Sequence, residues 1–269
     1  MLTILPPGQP FPDTFPKGAV LLVDKPLGWS SFDVANKMRY LLLRRLGLKK
    51  YKVGHAGTLD PLATGLLILC TGEYTKQIDT IQGLPKTYTG TLTFGASTAS
   101  YDLEKPADQH FPTAQLNDDL LQGLLPRFLG NIEQIPPMFS AVKVDGKRLY
   151  KNARTGQEVE LEPRKINISG FELGPLRPVP AADSSRPAAI ISKKGAAIYQ
   201  YPDYADGLQC DFRVQCSKGT YIRSLVHDLG EAAGCGAYLS SLRRTHIGDY
   251  AVAGAWTIDA FAAWLGQTV

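Results

Sequence analysis

One aspartate, Asp60, stands where glycine, histidine, threonine and proline crowd together, in "KVGHAGTLDPLATGLLILCTG", Lys52 to Gly72. Followed by Pro61, it fits a helix N-cap with proline at the first helical position. A carboxylate can also act as general base, metal ligand or nucleophile. A metal would need a second ligand at short spacing, and the flanking sequence offers no second carboxylate. Base and nucleophile remain, and both need a partner that keeps the carboxylate charged and aimed. Arg223, in "CSKGTYIRSLVHDLG", sits on the first turn of a predicted helix, and a guanidinium can grip a carboxylate with two parallel hydrogen bonds. Tyr88, in "KTYTGTLTFG", adds an aromatic ring with a hydroxyl on a predicted strand.

These residues need elements to hold them. In "GAVLLVDKPLGWSSFDVANKMRYLLLRRLG", residues 19–24 read as a short buried strand and "KPLG" as a turn. Ser30 and Asp33 make a near capping box. Phe32, Ala35, Met38, Leu42 and Leu46 then recur at helical spacing until Gly47 ends the helix. "GLLILCTG" reads as a buried strand, and "KTYTGTLTFG" as a strand with one face exposed. A helix is predicted over 113–128 with Thr113 as its cap. "IPPMFSAVKVDGKRLYKNAR" reads as a loop, a short strand, a turn at Asp145-Gly146 and a short helix. Residues 174–208 are rich in Pro, Ala, Ser and Lys and read as a long loop or hairpin insertion. "QCDFRVQCSKGTYIRSLVHDLGEAAG" gives a strand, a tight Lys-Gly turn and an amphipathic helix. The mixture lacks regular βαβ alternation, so the fold class is α+β with a mainly antiparallel sheet, in a single domain over 1–269.

Composition narrows the function. Hydrophobic residues make up 44% of 269, enough for a sizeable core. No apolar run reaches membrane-span length and the N-terminus lacks a signal-peptide pattern, so a cytoplasmic protein is expected. Cys70, Cys210, Cys216 and Cys235 form no C-x-x-C pair and should be free thiols in the core. Net charge is only +4, but between Asp33 and Asp60 stand seven basic residues and no acid: Lys37, Arg39, Arg44, Arg45, Lys49, Lys50 and Lys52. That run leads directly to the Asp60 stretch and suits a polyanion such as RNA.

Taken together, these segments resemble the tRNA pseudouridine synthase B family. "GHAGTLDPLATGLL" is similar to its catalytic motif and "LLVDKPLGWSSFDV" to its N-terminal motif. "KTYTGTLTFGASTASYD" resembles its K-x-Y segment, and "QIPPMFSAVKVDGKRLYKNARTG" its Q-x-P-P-x-Y-S-A-x-K segment. "CSKGTYIRSLVHDLG" and "YLSSLRRTHIGDY" resemble its two late motifs. The resemblance runs in family order from about residue 18 to 250. It implies a pseudouridine-synthase fold with the active site in a central cleft. The implied reaction turns a T-loop uridine of tRNA, position 55, into pseudouridine, with no cofactor and no metal. The enzyme would act as a monomer that binds the T-arm stem-loop. By position, the resemblance makes Asp60 the essential carboxylate, Arg223 its partner and Tyr88 the ring packed on the target base. Leu242 would line the base pocket. His55 would fill the stack left by the flipped base, and Lys25 with Pro26 would support the catalytic loop. Gly57, Thr58, Lys86 and Lys143 would complete the substrate contacts. Arg44, Arg45, Lys49, Lys50, Lys52, Arg148 and Arg154 would meet the RNA backbone. Attack at C6 of the base and a glycal route through the sugar both fit these residues.

The chain departs from the family pattern in places. Phe139 stands where tyrosine is usual, "LEKP" follows Tyr101-Asp102, and the 174–208 stretch is long. The chain ends thirteen residues after Trp256, so a form without the C-terminal PUA module is expected. The rival readings are a catalytically dead RNA-binding protein and a synthase acting on another RNA.

Overall fold

A computed structural model describes residues 4–139, 143–144, 147–148, 161–180, 189–191, 197–199 and 207–267. The first elements are β1 (Val20–Lys25), α1 (Ser31–Leu46), β2 (Val53–His55), β3 (Ala63–Thr71), α2 (Ile78–Gly83) and β4 (Lys86–Phe94). Next come β5 (Ala96–Thr98), β6 (Ala107–His110), α3 (Asp118–Leu124), β7 (Gly130–Gln134), β8 (Lys143–Val144), β9 (Lys147–Arg148) and β10 (Arg164–Leu173). The remainder are β11 (Arg177–Pro178), β12 (Ala189–Ile191), β13 (Ala197–Tyr199), β14 (Leu208–Cys216), α4 (Ile222–Ala232), β15 (Ala237–Ile247), β16 (Tyr250–Ala251) and α5 (Ile258–Trp264). The chain forms two compact units, one mainly Met1–Tyr88 with Leu242–Val269, the other mainly Thr89–Ile191 with Gly195–Ser241.

In the first unit β3 is the centre. β1 runs antiparallel along one edge, from Val20↔Cys70 to Lys25↔Gly65. The other edge is shared by antiparallel β2, at His55↔Leu69, and by the end of β15, which runs parallel from Leu242↔Ala63 to Arg244↔Gly65. The apolar run of β3 suits a strand covered on both faces. Leu67 and Leu69 join Leu21, Val23, Val34, Met38, Leu41, Leu42, Trp256 and Phe261 in one core; Leu66, Ile68 and Cys70 join Val20, Ile81 and Ile247 in another. The α1 boundaries match the reading: Ser30 and Asp33 exchange both capping-box hydrogen bonds, and Gly47 closes the helix with φ 64°. The buried stripe is shifted, however. Val34, Ala35, Met38, Leu41 and Leu42 face the core, whereas Phe32 is 62% exposed, because its neighbour Ser31 turns inward at the first turn.

In the second unit the strand order is β15-β4-β14-β10-β7, and β10 runs antiparallel to both β14 and β7. Phe171 stands edge-on to Phe128 and Phe212 in its core. β4 does not alternate as expected. It is buried at both ends and half-buried at Thr89–Thr91, because its ends are covered on both faces. The helix predicted from Thr113 begins instead at Asp118. Asn117 accepts from the Leu120 amide, and Asp118 and Asp119 suit the helix N-terminus, while the Thr113 carbonyl closes a turn with the Leu116 amide ahead of it. β8 and β9 pair as Lys143↔Arg148 and Val144↔Lys147. The Asp145-Gly146 turn, the helix expected after it and Arg154 lie outside the described residues. Within 174–208, β11 pairs with β14 and β12 with β13; the stretches 181–188 and 200–206 lie outside the described residues. All four cysteines are buried free thiols.

Candidate active site

No helix follows Asp60. The Ala63 amide donates to its carbonyl at 3.1 Å, closing a turn that leads straight into β3, so the capping reading fails on geometry. Buried backbone carbonyls need partners, and each one from Gly57 to Pro61 has one. Arg244 Nη2 donates to Gly57 O at 3.2 Å and Nη1 to Thr58 O at 3.4 Å. The Ser31 hydroxyl donates to Leu59 O at 3.0 Å and accepts from the Leu59 amide at 2.7 Å. The Gly28 amide reaches Pro61 O at 2.9 Å, joined by Lys25 Nζ at 3.4 Å. Lys25 Nζ also donates to Pro26 O and Trp29 O. The loop carrying Asp60 is therefore held residue by residue, by β1, by the start of α1 and by β15. Gly65, at φ 99°, lets β15 approach: a Cβ there would stand 2.3 Å from Arg244 O.

Two buried cations face this loop. Lys25 has no exposed surface and Arg244 only 1%. Burial pushes the Lys25 ammonium down to about 8; the Asp60 carboxylate opposes that shift and the Arg244 guanidinium adds to it. His55, at the end of β2, has its pKa lowered by burial and then by Arg244, against a backbone hydrogen bond with Gly57. On the other face of β15, Arg243 grips Asp24 with two bonds of 3.0 and 2.7 Å.

The first unit thus brings together Lys25, His55, Gly57, Thr58 and Asp60, with Leu242 paired to Ala63, three residues beyond Asp60. Tyr88 is buried near the start of β4 in the same unit. Lys86 is buried as well, and its ammonium donates to Gln82 O and Leu84 O at the end of α2. Arg44, Arg45, Lys49, Lys50 and Lys52 are all exposed. Arg44 lies 5.7 Å over the Tyr40 ring and Arg45 5.1 Å over Phe11. For Lys143 and Arg148 only the backbone is described.

Arg223 belongs to the second unit, on the first turn of α4. It and Asp102 are each 4% exposed and form an ion pair, Nε to Oδ2, at 3.7 Å. Its Nη1 donates to Ser100 O at 3.1 Å and Nη2 to Phe139 O at 2.9 Å. Phe139, the aromatic departure, thus serves Arg223 through its backbone, where the side-chain change is irrelevant. Asp102 Oδ1 accepts from the Ser100 hydroxyl and the Glu104 amide. Between them Tyr101 takes φ 61°, with its ring stacked 3.9 Å from His227.

Ser31, Arg244 and Asp102 were not singled out from sequence. For Arg244 the signal was present: strand alternation in "SLRRTH" puts Leu242 and Arg244 on one face and Arg243 on the other. Among the described residues no group of three or more His, Cys, Asp or Glu is arranged to hold a metal ion. No described helix is long and apolar enough to cross a membrane.

Comparison with known proteins adds to this geometry. The model of the TruB family pseudouridylate synthase N-terminal domain matches residues 44–222. That of the tRNA pseudouridylate synthase B C-terminal domain matches 223–268. The chain is 49% identical over 251 residues to the tRNA pseudouridine synthase B of Flavobacterium johnsoniae, covering 93% of this chain and 97% of that relative. It is 45% identical over 258 residues to the enzyme of that name from Phocaeicola vulgatus, covering 94% and 95%. Among solved structures, that of the archaeal box H/ACA sRNP Nop10-Cbf5 complex matches with TM-score 0.57 at 22% identity, over 96% of this chain and 57% of that one. At that identity the likeness is one of fold: an α+β pseudouridine-synthase architecture.

Proposed function

This chain belongs to the TruB family of pseudouridine synthases, and on that premise we propose that it converts the T-loop uridine at position 55 of tRNA to pseudouridine. The reaction is an isomerisation. The N1–C1′ bond breaks, the base turns, and a C5–C1′ bond forms; C5 loses a proton and N1 gains one. Atoms and electrons balance within the nucleotide, so the chemistry calls for no cofactor.

The observation that carries this reading is the Asp60 loop, in which every backbone carbonyl from Gly57 to Pro61 is held. Such fixing presents one carboxylate in one geometry, which covalent or electrostatic catalysis requires. A uridine inside a structured loop must first be flipped out, at a cost of a few kcal/mol. His55 is a flat ring five residues before Asp60 whose lowered pKa favours the neutral form. In that form it can take the vacated place in the base stack. Leu242 and Tyr88 supply apolar surface for the extruded base. The Tyr88 hydroxyl serves as proton acceptor. The exposed Arg44, Arg45, Lys49, Lys50 and Lys52 take the RNA backbone.

Asp60→Asn tests the assignment. Asparagine keeps the volume and removes the charge. Pseudouridine formation on an unmodified tRNA transcript should fall to background, while tRNA affinity and Tm stay near wild type. Isomerisation by the variant at anything near the wild-type rate would sink the role of Asp60. A wild-type chain that binds tRNA and makes no pseudouridine would leave the binding-only reading.

A further inference from the structure

Arg244 poses a physical puzzle. Fully buried arginines ordinarily face a carboxylate, yet among the described residues Arg244 has no ion pair. Its guanidinium is spent on carbonyls: Leu66 O at 2.8 Å from Nε, Gly57 O at 3.2 Å from Nη2 and Thr58 O at 3.4 Å from Nη1. An unbranched apolar side chain would fill the same space without desolvating a charge, so packing does not account for an arginine here. What arginine alone brings is a rigid planar fork that reaches several acceptors at once.

The acceptors are not arbitrary. Leu66 lies in β3, after Asp60; Gly57 and Thr58 lie before it. The fork therefore ties the entry of the loop to the strand into which the loop runs. Its own backbone is fixed by the parallel pairing of Arg244 with Gly65 and by the close approach that Gly65 permits. A chain of contacts runs from β15, through the guanidinium, to the loop carbonyls and so to Asp60. Ser31 and Lys25 hold the middle and exit of the same loop, so the entry depends on Arg244.

We propose that Arg244 is a positioning residue for Asp60, which sets where the carboxylate stands and so governs turnover rather than RNA capture. The proposal rests on the function proposed above. Arg244→Lys keeps the positive charge but offers one point donor instead of a fork; Arg244→Gln removes the charge. Both are compared with wild type by single-turnover pseudouridine formation per folded enzyme, by filter-binding Kd for tRNA, by Tm, and by amide exchange over residues 56–62. A misplacement of about 1 Å can lower a rate roughly 100-fold, so Arg244→Lys should lose about that factor. Its Kd should stay within about threefold, and loop exchange should rise. In Arg244→Gly, added methylguanidinium should restore part of the rate, and it should do nothing for Asp60→Asn. A wild-type single-turnover rate in Arg244→Lys, whatever its Tm, would overturn the proposal. So would a loss confined to Kd, which would make Arg244 an RNA contact. Should wild type itself make no pseudouridine, the functional reading fails separately, and loop exchange in Arg244→Lys still decides whether this side chain holds the loop.

Discussion

Asp102 and Arg223 bury opposite charges against each other, and the two residues are not equally replaceable. Asp102 also accepts from the Ser100 hydroxyl and from the Glu104 amide, so removing its carboxylate takes a counter-charge from a buried guanidinium and an acceptor from the Glu104 amide. Breaking a buried pair from one side costs about 3–5 kcal/mol. Asp102→Ala should therefore lose about that much in urea unfolding, and Asp102→Asn less, because its carboxamide oxygen can still accept. Equal, small losses for both would show that the charge contributes little. Lys25 gives a prediction with a sign. Its pKa is about 8 in the folded chain and near 10.4 in an unfolded one. Between those values the unfolded chain holds a proton that the folded chain has released, so stability rises with pH. Below pH 8 both forms are charged and the penalty of burying the ammonium is fully present. The unfolding free energy of wild type minus that of Lys25→Met should thus climb by about 1.4 kcal/mol per pH unit across that window. A flat difference would mean that Lys25 does not titrate there.

Among the elements, α1 was legible because its signals are local. Ser30, Asp33 and Gly47 act within one turn of where they stand, and the structure keeps all three roles. The Asp60 loop was not legible, because what shapes it is distant. Arg244 reaches Leu66 across 178 residues and Gly57 across 187, and Arg243 reaches Asp24 across 219. Asp60-Pro61 carries a helix-start pattern, but the parallel pairing of β15 with β3 draws the chain into a strand immediately, and tertiary structure overrides the local preference. The same contrast separates the basic residues in the last turn of α1 from those that follow it. Lys49, Lys50 and Lys52 are exposed, and each Ala substitution should weaken tRNA binding without changing Tm. The slope of log K against log salt should fall by about 0.7–0.9 for each phosphate that the variant no longer neutralises. Arg45 also covers the Phe11 ring. Arg45→Ala should therefore cost about 0.5–1 kcal/mol of stability in addition to any loss of binding. Unchanged salt dependence in a variant lacking Arg44, Arg45, Lys49, Lys50 and Lys52 together would reduce this surface to a solvated one.

For the whole molecule, charge and extent decide how much of a tRNA it must touch. A net charge of +4 on 269 residues gives little general attraction for a polyanion, so affinity must come from the local basic run and from contacts at the target. Two family models account for residues 44–268 as synthase, and that span holds Asp60, Tyr88, Arg223, Leu242 and five exposed basic residues of the run. On the function proposed above, recognition by such a chain is expected to concentrate near the target uridine. An isolated T-arm stem-loop should then react with a kcat/KM within about tenfold of full-length tRNA, a gap of roughly 1.4 kcal/mol in transition-state stabilisation. The five-residue Ala variant separates the contributions. Both substrates should lose the same factor if the basic run meets the T-arm itself. Full-length tRNA should lose more if the run reaches beyond it. A stem-loop thousands of times worse than tRNA with the wild-type enzyme would place the decisive contacts elsewhere on the tRNA and refute recognition centred on the T-loop.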